Sequence, residues 1–327
     1  MILAGDIGGT HCRLALAEVR DGRIKIICKQ TYPSRLYDDL ATIVASFLET
    51  HNELSTPIKT ACFAVAGPVI DEVAQVTNLP WRLDARQLTT QLHIPIVRLI
   101  NDFTGTAYGI EQLPADELVT IQPGEAARNG VRVLVGAGTG LGVGFTLQHD
   151  NRLICLPSEG GHVDFAPCDA QQIELLRYWQ TKLPRVSYET FLSGKGIARL
   201  YEFVCLRDQG LESAALLQAA DPAAAITTAA QQGDPSADRA LAMFTEIYAA
   251  QAANLAITCL ARGGVYLAGG IAPKIIDYLR SERFRTVFCD KPPMQTMLAA
   301  IPVQVIMNTD VGLLGAASLA RSSTTYS

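Results

Sequence analysis

Two stretches of this chain share one form. Leu3–Leu16 (LAGDIGGTHCRLAL) and Leu134–Leu147 (LVGAGTGLGVGFTL) align without a gap, although few positions are identical. Each reads as an apolar strand, a glycine turn and a second apolar strand. A mixed fold that builds this hairpin twice is expected to place the two turns as the lips of one cleft.

Around the hairpins, strand and helix patterns alternate. Ile2–Ala4, Arg13–Val19 and Ile24–Thr31 read as strands, the last two joined by the hairpin signal Asp21-Gly22. Leu36, Leu40, Ile43, Val44, Phe47 and Leu48 recur at helical spacing. Ala61–Ala66 is a buried strand ending at Gly67-Pro68, and Val73–Thr77 another, with a short helix after Asp84. Ile96–Ile100 delivers Asn101-Asp102 at its carboxyl end. Val131–Val135 and Val143–Leu147 open a second round.

Helices are predicted over Ala170–Gln180, Tyr188–Leu192, Ile197–Leu206 and near Ala237–Ala261. In the last, Leu241, Phe244, Tyr248, Ala252, Leu255 and Cys259 form one stripe. Ala214–Gly233 reads as a surface helix pair. Val265–Ala268 and Pro302–Met307 are late strands, and Gly312–Ala320 a final helix. The class is α/β.

At 327 residues there is room for two domains. With 49% hydrophobic and 18% charged residues, a packed core is available. Lys plus Arg is 27 against 32 Asp plus Glu, a formal charge of −5. That argues against nucleic acid or an anionic membrane surface as a partner. The N-terminus shows no basic segment or cleavage site. The most apolar run, Val133–Leu147, is full of glycine and too short to span a bilayer. The eight cysteines include no C-x-x-C pair, and the five histidines lack zinc-site spacing. A cytoplasmic protein without zinc is expected.

Five motifs carry candidate chemistry. In Gly5-Asp6-Ile7-Gly8-Gly9-Thr10, glycines allow positive φ and let backbone N–H groups approach an anion, and Thr10 adds a hydroxyl. Asp6 repels phosphate unless a cation lies between, which makes it a candidate for Mg2+ through water; a plain turn residue is the other reading. Gly136-Ala137-Gly138-Thr139-Gly140-Leu141-Gly142 reads as a second phosphate hairpin, or as a tight turn without a ligand. No helix pattern follows it, which excludes a dinucleotide fingerprint.

Asp102 is placed to take a proton from an attacking hydroxyl; capping the helix that starts near Phe103 is the competing role. Glu159, His162 and Asp164 crowd a Gly-Gly turn and suit neighbouring hydroxyls of a sugar better than zinc. Each also has an ordinary structural role open to it, as does Glu189 near a helix start. Ala268-Gly269-Gly270-Ile271-Ala272-Pro273 offers flat backbone to a nucleotide, or simply punctuates strand and helix.

The ordered set GDIGGT-x-x-R, INDFT, GAGTGLG, EGGHVDFAP, SYETFLSGKG, LAGGI and DVGLLGAA resembles the bacterial glucokinases of the hexokinase/actin-like ATPase superfamily, from Leu3 to about Leu319. The resemblance implies a two-domain actin-like ATPase (ribonuclease H-like) fold with an interdomain cleft. A small domain would hold residues 1–110 completed by a C-terminal helix over 311–327, and a large one 111–310. The implied activity is transfer of the ATP γ-phosphate to the 6-hydroxyl of glucose with Mg2+, by a homodimer.

Carried onto this chain, Asp102 is the general base, and Asn101, Asp102, Glu159, His162 and Glu189 bind the sugar. Gly5, Asp6, Ile7, Gly8, Gly9 and Thr10 face the phosphates with Gly138, Thr139 and Gly140. Gly269, Gly270 and the turn containing Gly194 and Gly196 face the adenosine. His11 stands where that family usually has Asn. Cys155 and Cys168 flank EGGH without the spacing of the zinc motif in the related repressor/kinase family, so the likeness is to the zinc-free group.

Other classes stay in view: a kinase for another hexose, an actin-like or chaperone-type ATPase, and a non-catalytic sugar sensor. Clustered sugar-hydroxyl ligands argue against the second, and retention of Asp102 against the third.

Overall fold

The computed structural model describes residues 1–51, 56–150, 152–208 and 215–322. The chain divides into two compact units: Met1–Glu117, Cys155–Pro157 and the chain from Asn308 onward form the first, and Leu118–Ile154 with Ser158–Met307 the second.

In the first unit, β1 (Ile2–Ile7), β2 (His11–Arg20) and β3 (Arg23–Pro33) form a meander, followed by α1 (Leu40–Thr50) and β4 (Thr60–Val65). A small sheet of β5 (Val69–Ile70), β6 (Val73–Gln75) and β7 (Arg82–Asp84) leads to α2 (Ala85–Leu92), β8 (Ile96–Asn101) and α3 (Asp102–Ile110). The main sheet has the order β3-β2-β1-β4-β8. β1 pairs antiparallel with β2 and parallel with β4, and β4 parallel with β8. Asp21 and Gly22 both take positive φ, as the β2–β3 hairpin requires.

In the second unit, β9 (Leu118–Gln122), β10 (Arg132–Ala137), β11 (Leu141–His149) and, apart from Cys155–Pro157, β12 (Arg152–Ser158) precede a helical stretch. It comprises α4 (Ala170–Gln180), α5 (Tyr188–Phe191), α6 (Gly194–Asp208), α7 (Pro222–Gln231) and α8 (Pro235–Cys259). Then come β13 (Gly264–Ala268), α9 (Ile276–Leu279), α10 (Glu282–Cys289), α11 (Gln295–Ala299) and β14 (Val303–Ile306). α12 (Val311–Ser322) returns to the first unit.

The second sheet has the order β12-β11-β10-β13-β14-β9. Its first five strands repeat the first sheet: β10 is antiparallel to β11 and parallel to β13, and β13 is parallel to β14. The ungapped sequence match is out of step with this repeat, by one residue at β1, where Ile7 corresponds to Ala137, and by two at β2, where Cys12 corresponds to Leu141.

Period-two burial explains how β1 serves two layers. Leu3 and Ile7 point to a core with Leu14, Phe47 and Phe63. Ile2 and Ala4 point to the other face, with Ala15, Cys62, Ala64 and Leu313, Ala316 and Ala317 of α12. Asp6 shares that second face by spacing.

Small side chains there let helices approach closely. On α3, a Cβ at Gly109 would lie 1.9 Å from the Val311 carbonyl oxygen. In the second unit, α8 buries Leu241, Phe244, Tyr248 and Ala252 of its predicted stripe, and the Tyr248 hydroxyl donates to the Val135 carbonyl at 2.8 Å.

Three expectations change. Leu36 is not part of α1: it sits in a 3₁₀ turn over Ser34–Leu36 and is exposed, because Asp39 caps the helix by accepting the Thr42 amide at 2.8 Å. Ala214 lies outside the described residues. Beyond it stand a 3₁₀ turn and the single helix α7, which buries Ile226 and Ala230 in the core instead of lying on the surface. After Gly270 the chain first forms a 3₁₀ turn over Ala272–Ile275 and only then α9. Among the described residues, no helix is long and apolar enough to cross a membrane.

Candidate active site

In the first unit, β8 carries Asn101 and Asp102 to its carboxyl end. Asn101 Oδ1 accepts the Phe103 and Thr104 amides at 3.0 and 3.4 Å, and its Nδ2 donates to the Gly67 carbonyl at 3.1 Å. Asn101 is therefore the N-cap of α3. Asp102 is the first helical residue, half-buried, with Oδ1 accepting the Phe103 amide at 2.9 Å. The capping role weighed for Asp102 belongs to its neighbour.

The first glycine turn is shorter than its motif. Gly5 and Ile7 are buried within β1; a Cβ at Gly5 would lie 2.4 Å from the Phe63 ring, so glycine here serves packing. Gly8, Gly9 and Thr10 form the turn, with the Gly8 amide donating to the His11 carbonyl at 3.0 Å. Neither Gly8 nor Gly9 has positive φ. Gly9 is required by close approach, since its Cβ would lie 2.5 Å from the Thr77 carbonyl oxygen. His11 is exposed on the first residue of β2.

Asp6 Oδ2 is ion-paired with Arg13 Nη2. A Cβ at Gly312, in the first turn of α12, would lie 3.3 Å from the same oxygen. The positive end of that helix favours the carboxylate. Arg13 Nη1 donates to the Thr309 carbonyl at 2.5 Å and lies 3.9 Å from Asp310, which also pairs with Lys29. Arg13 thus ties β1 and β2 to the start of α12, a role that the sequence reading did not assign.

In the second unit, Glu159, His162 and Glu189 come together from segments far apart in sequence. His162 Nε2 lies 3.7 Å from Glu159 Oε2, and His162 Nδ1 lies 3.9 Å from Glu189 Oε1. Their side chains remain open to solvent at 57%, 69% and 33% for His162, Glu159 and Glu189.

Backbone pairing brings the two segments side by side. The Phe165 amide donates to Val186 at 3.1 Å, the Tyr188 amide to Val163 at 3.1 Å, and Asp164 bridges to Ser187. Asp164 itself turns to Arg185 at 2.7 Å, away from the His162 group. Gly161 has no space for a side chain, since its Cβ would lie 1.9 Å from the Leu141 carbonyl oxygen.

The single turn α5 that bears Glu189 is held from several sides. Thr190 Oγ1 accepts the Ser187 amide at 3.0 Å, Arg199 donates to the Thr190 carbonyl at 3.1 Å, and Ser193 Oγ donates to the Glu189 carbonyl at 2.9 Å. Asn254 donates to the Tyr188 hydroxyl at 2.9 Å, and burial pushes that phenol up to about 12.

The second glycine turn, Gly138-Thr139-Gly140, joins β10 to β11. The Gly138 amide donates to the Gly140 carbonyl at 2.8 Å, and the Gly138 carbonyl accepts the Gly194 amide at 2.8 Å. Gly194 and Gly196 lie in the first turn of α6 and not in a loop; Gly196 is buried, its Cβ position 2.1 Å from the Phe191 carbonyl oxygen. Gly269 and Gly270 follow β13 and are exposed. Gly269 has φ +82° and abuts the Ala137 carbonyl, so both conformation and space demand glycine. Among the described residues, no group of three or more His, Cys, Asp or Glu is placed to hold a metal.

The solved structures most like this one include a glucokinase from an Antarctic psychrotroph, 30% identical with a TM-score of 0.82, each chain covered to 98%. Another is the Balamuthia mandrillaris glucokinase solved in complex with glucose, 26% identical with a TM-score of 0.83, covering 98% of this chain and 93% of that one. The fold is that of the actin-like ATPase sugar kinases, as the resemblance implied. The glucokinase family model matches residues 3–323. Among curated relatives, the glucokinase of Nostoc sp. is 42% identical over 97% of this chain and 98% of its own length. That of Synechocystis sp. is 42% identical over 98% of both chains. The chain belongs to the glucokinase family.

Proposed function

We propose that this chain transfers the γ-phosphate of ATP to the 6-hydroxyl of glucose, giving glucose 6-phosphate and ADP. The observation that carries the reading is the convergence of Glu159, His162 and Glu189. Two carboxylates accept hydrogen bonds from sugar hydroxyls, and an imidazole between them can donate or accept. A protein that used ATP only to move a partner would have no use for such a group.

Asp102 is the general base. A carboxylate in hydrogen-bond reach of the 6-hydroxyl takes its proton as the oxygen attacks phosphorus. Asp102 stands in the first turn of α3, where a negative charge is stabilised by the helix dipole. Asn101 contributes chiefly by fixing the start of α3, since its carbonyl oxygen and amide both serve the backbone. Gly8–Thr10 and Gly138–Gly140 present backbone to the phosphates, and Gly269, Gly270 and Gly194 lie toward the adenosine. Gly196 is closed in by the Phe191 backbone and serves packing.

Mg2+ fits Asp6 only through water. A single carboxylate with one oxygen on Arg13 is too few ligands for a protein-enclosed site, and Mg2+ commonly keeps several waters beside nucleotide phosphates. When bound, the ion neutralises phosphate charge. A homodimer in the cytoplasm completes the reading.

A coupled assay over a panel of hexoses with ATP, ADP and polyphosphate tests it. Glucose with ATP is expected to give the highest kcat/KM, and turnover that is equal without any sugar would overturn the reading.

A further inference from the structure

Glu189 faces two ways. Its Oε1 lies 3.9 Å from His162 Nδ1, in the proposed sugar group, while its Oε2 accepts the Leu141 amide at 2.9 Å. Leu141 is the first residue of β11, directly after the proposed phosphate turn. The residue before it, Gly140, leaves room for the carboxylate: a Cβ there would lie 2.5 Å from Glu189 Oε2 and 3.3 Å from Cδ. Among the described residues beyond its two chain neighbours, the three atoms nearest that Cβ all belong to Glu189. Gly140 does not have positive φ, so neither backbone strain nor another contact requires glycine. Among the described residues, the Thr139 and Gly140 amides have no backbone partner, and the turn is braced instead by the Gly194 amide on the Gly138 carbonyl.

We propose that Glu189 couples the sugar site to the donor-phosphate turn: the Leu141 amide, at the end of that turn, aims the carboxylate at the sugar. The proposal rests on the glucokinase reading above and adds a positioning role for Gly140 and Leu141. An N–H···O⁻ bond is among the stronger hydrogen bonds and fixes one carboxylate oxygen, leaving the other for a sugar hydroxyl. Any shift of the turn on phosphate binding moves Oε2 with it, so donor and sugar affinities are linked and the linkage is reciprocal. A turn that served phosphate alone would leave glucose affinity untouched.

The separating variant is Gly140→Ala. Its added methyl meets only the far end of a flexible side chain, so the fold is retained while the carboxylate is displaced. Glucose is titrated calorimetrically, without nucleotide, into the full-length unaltered protein, Gly140→Ala, Glu189→Ala and the double variant, with melting temperatures taken in parallel. The expected result is a glucose Kd raised at least about tenfold by Gly140→Ala alone, and by less than about twofold when Glu189 is already alanine. An unchanged Kd in Gly140→Ala, or the same factor in both backgrounds, overturns the coupling. Failure of the unaltered protein to bind glucose at all would instead overturn the functional reading. Hydrogen exchange at the Leu141 amide gives a measurement that needs no change at Gly140: the amide should exchange faster in Glu189→Ala, and equal exchange in both proteins counts against the proposal.

Discussion

Asn101 caps the helix on which Asp102 is the first residue. Its side-chain oxygen takes the Phe103 and Thr104 amides at 3.0 and 3.4 Å, and Asp102 Oδ1 shares the first of these at 2.9 Å. The two adjacent polar residues at the end of β8 therefore divide the work: one fixes the helix start, and the other stands in its first turn.

That division sharpens the test of Asp102. Asp102→Asn keeps size and one acceptor but removes the proton-accepting carboxylate. We expect kcat to fall at least roughly a hundredfold, with glucose affinity within a few-fold and the melting temperature nearly unchanged. Stopped-time assays and a melting curve on this variant check both halves. Near-normal turnover would remove the catalytic role.

Asn101→Ala should behave in the opposite sense. Losing a cap costs about 1 kcal/mol, and the Gly67 carbonyl loses its partner as well. Urea denaturation should show a lower midpoint with an unchanged slope.

The sugar group predicts a selective defect. Removing one partner of a hydrogen-bonded polar group costs about 1–3 kcal/mol. Glu159→Gln and His162→Ala are each expected to raise the glucose KM at least tenfold, while the KM for ATP changes little. Steady-state kinetics with each substrate varied in turn would expose a structural role if the glucose KM stayed normal.

Asp6→Ala is expected to weaken Mg2+-dependent turnover while glucose binding stays nearly intact, because Asp6 pairs with Arg13 and, in the proposed function, holds Mg2+ through water. A titration of activity against Mg2+, paired with glucose calorimetry, distinguishes this from a general loss of fold.

The last prediction concerns α3 and α12. A Cβ at Gly315 would lie 1.7 Å from the Gly105 carbonyl oxygen, and one at Gly109 1.9 Å from that of Val311. In an open helix, Gly→Ala stabilises by about 1 kcal/mol. Here backbone overlap outweighs propensity, and overpacking of this kind typically costs about 1–3 kcal/mol. Gly315→Ala should therefore lower stability in urea; a gain would mean that the helices are not in contact there.

Periodicity and turn chemistry made most of the elements legible in the sequence. Alternating burial places Leu3 and Ile7 on one face of β1 with Ala4 on the other, and the 3.6-residue stripe from Leu241 to Leu255 lies on the buried side of α8. The pairing of Asp21 with Gly22 was enough for a hairpin, because both positions need positive φ. These are local properties, set by side-chain spacing and backbone sterics. Which glycines stand open and which are closed in by packing is not local. Gly5 and Gly196 look the same in sequence as Gly8 and Gly194, yet they are buried where a Cβ would strike the Phe63 ring or the Phe191 backbone. Likewise, nothing in the run Asn101-Asp102 says which residue takes the cap, and nothing in Gly140 or Leu141 points to Glu189. Such contacts join residues distant in the chain, and only the packing of β10, β11 and α5 brings them within hydrogen-bond reach.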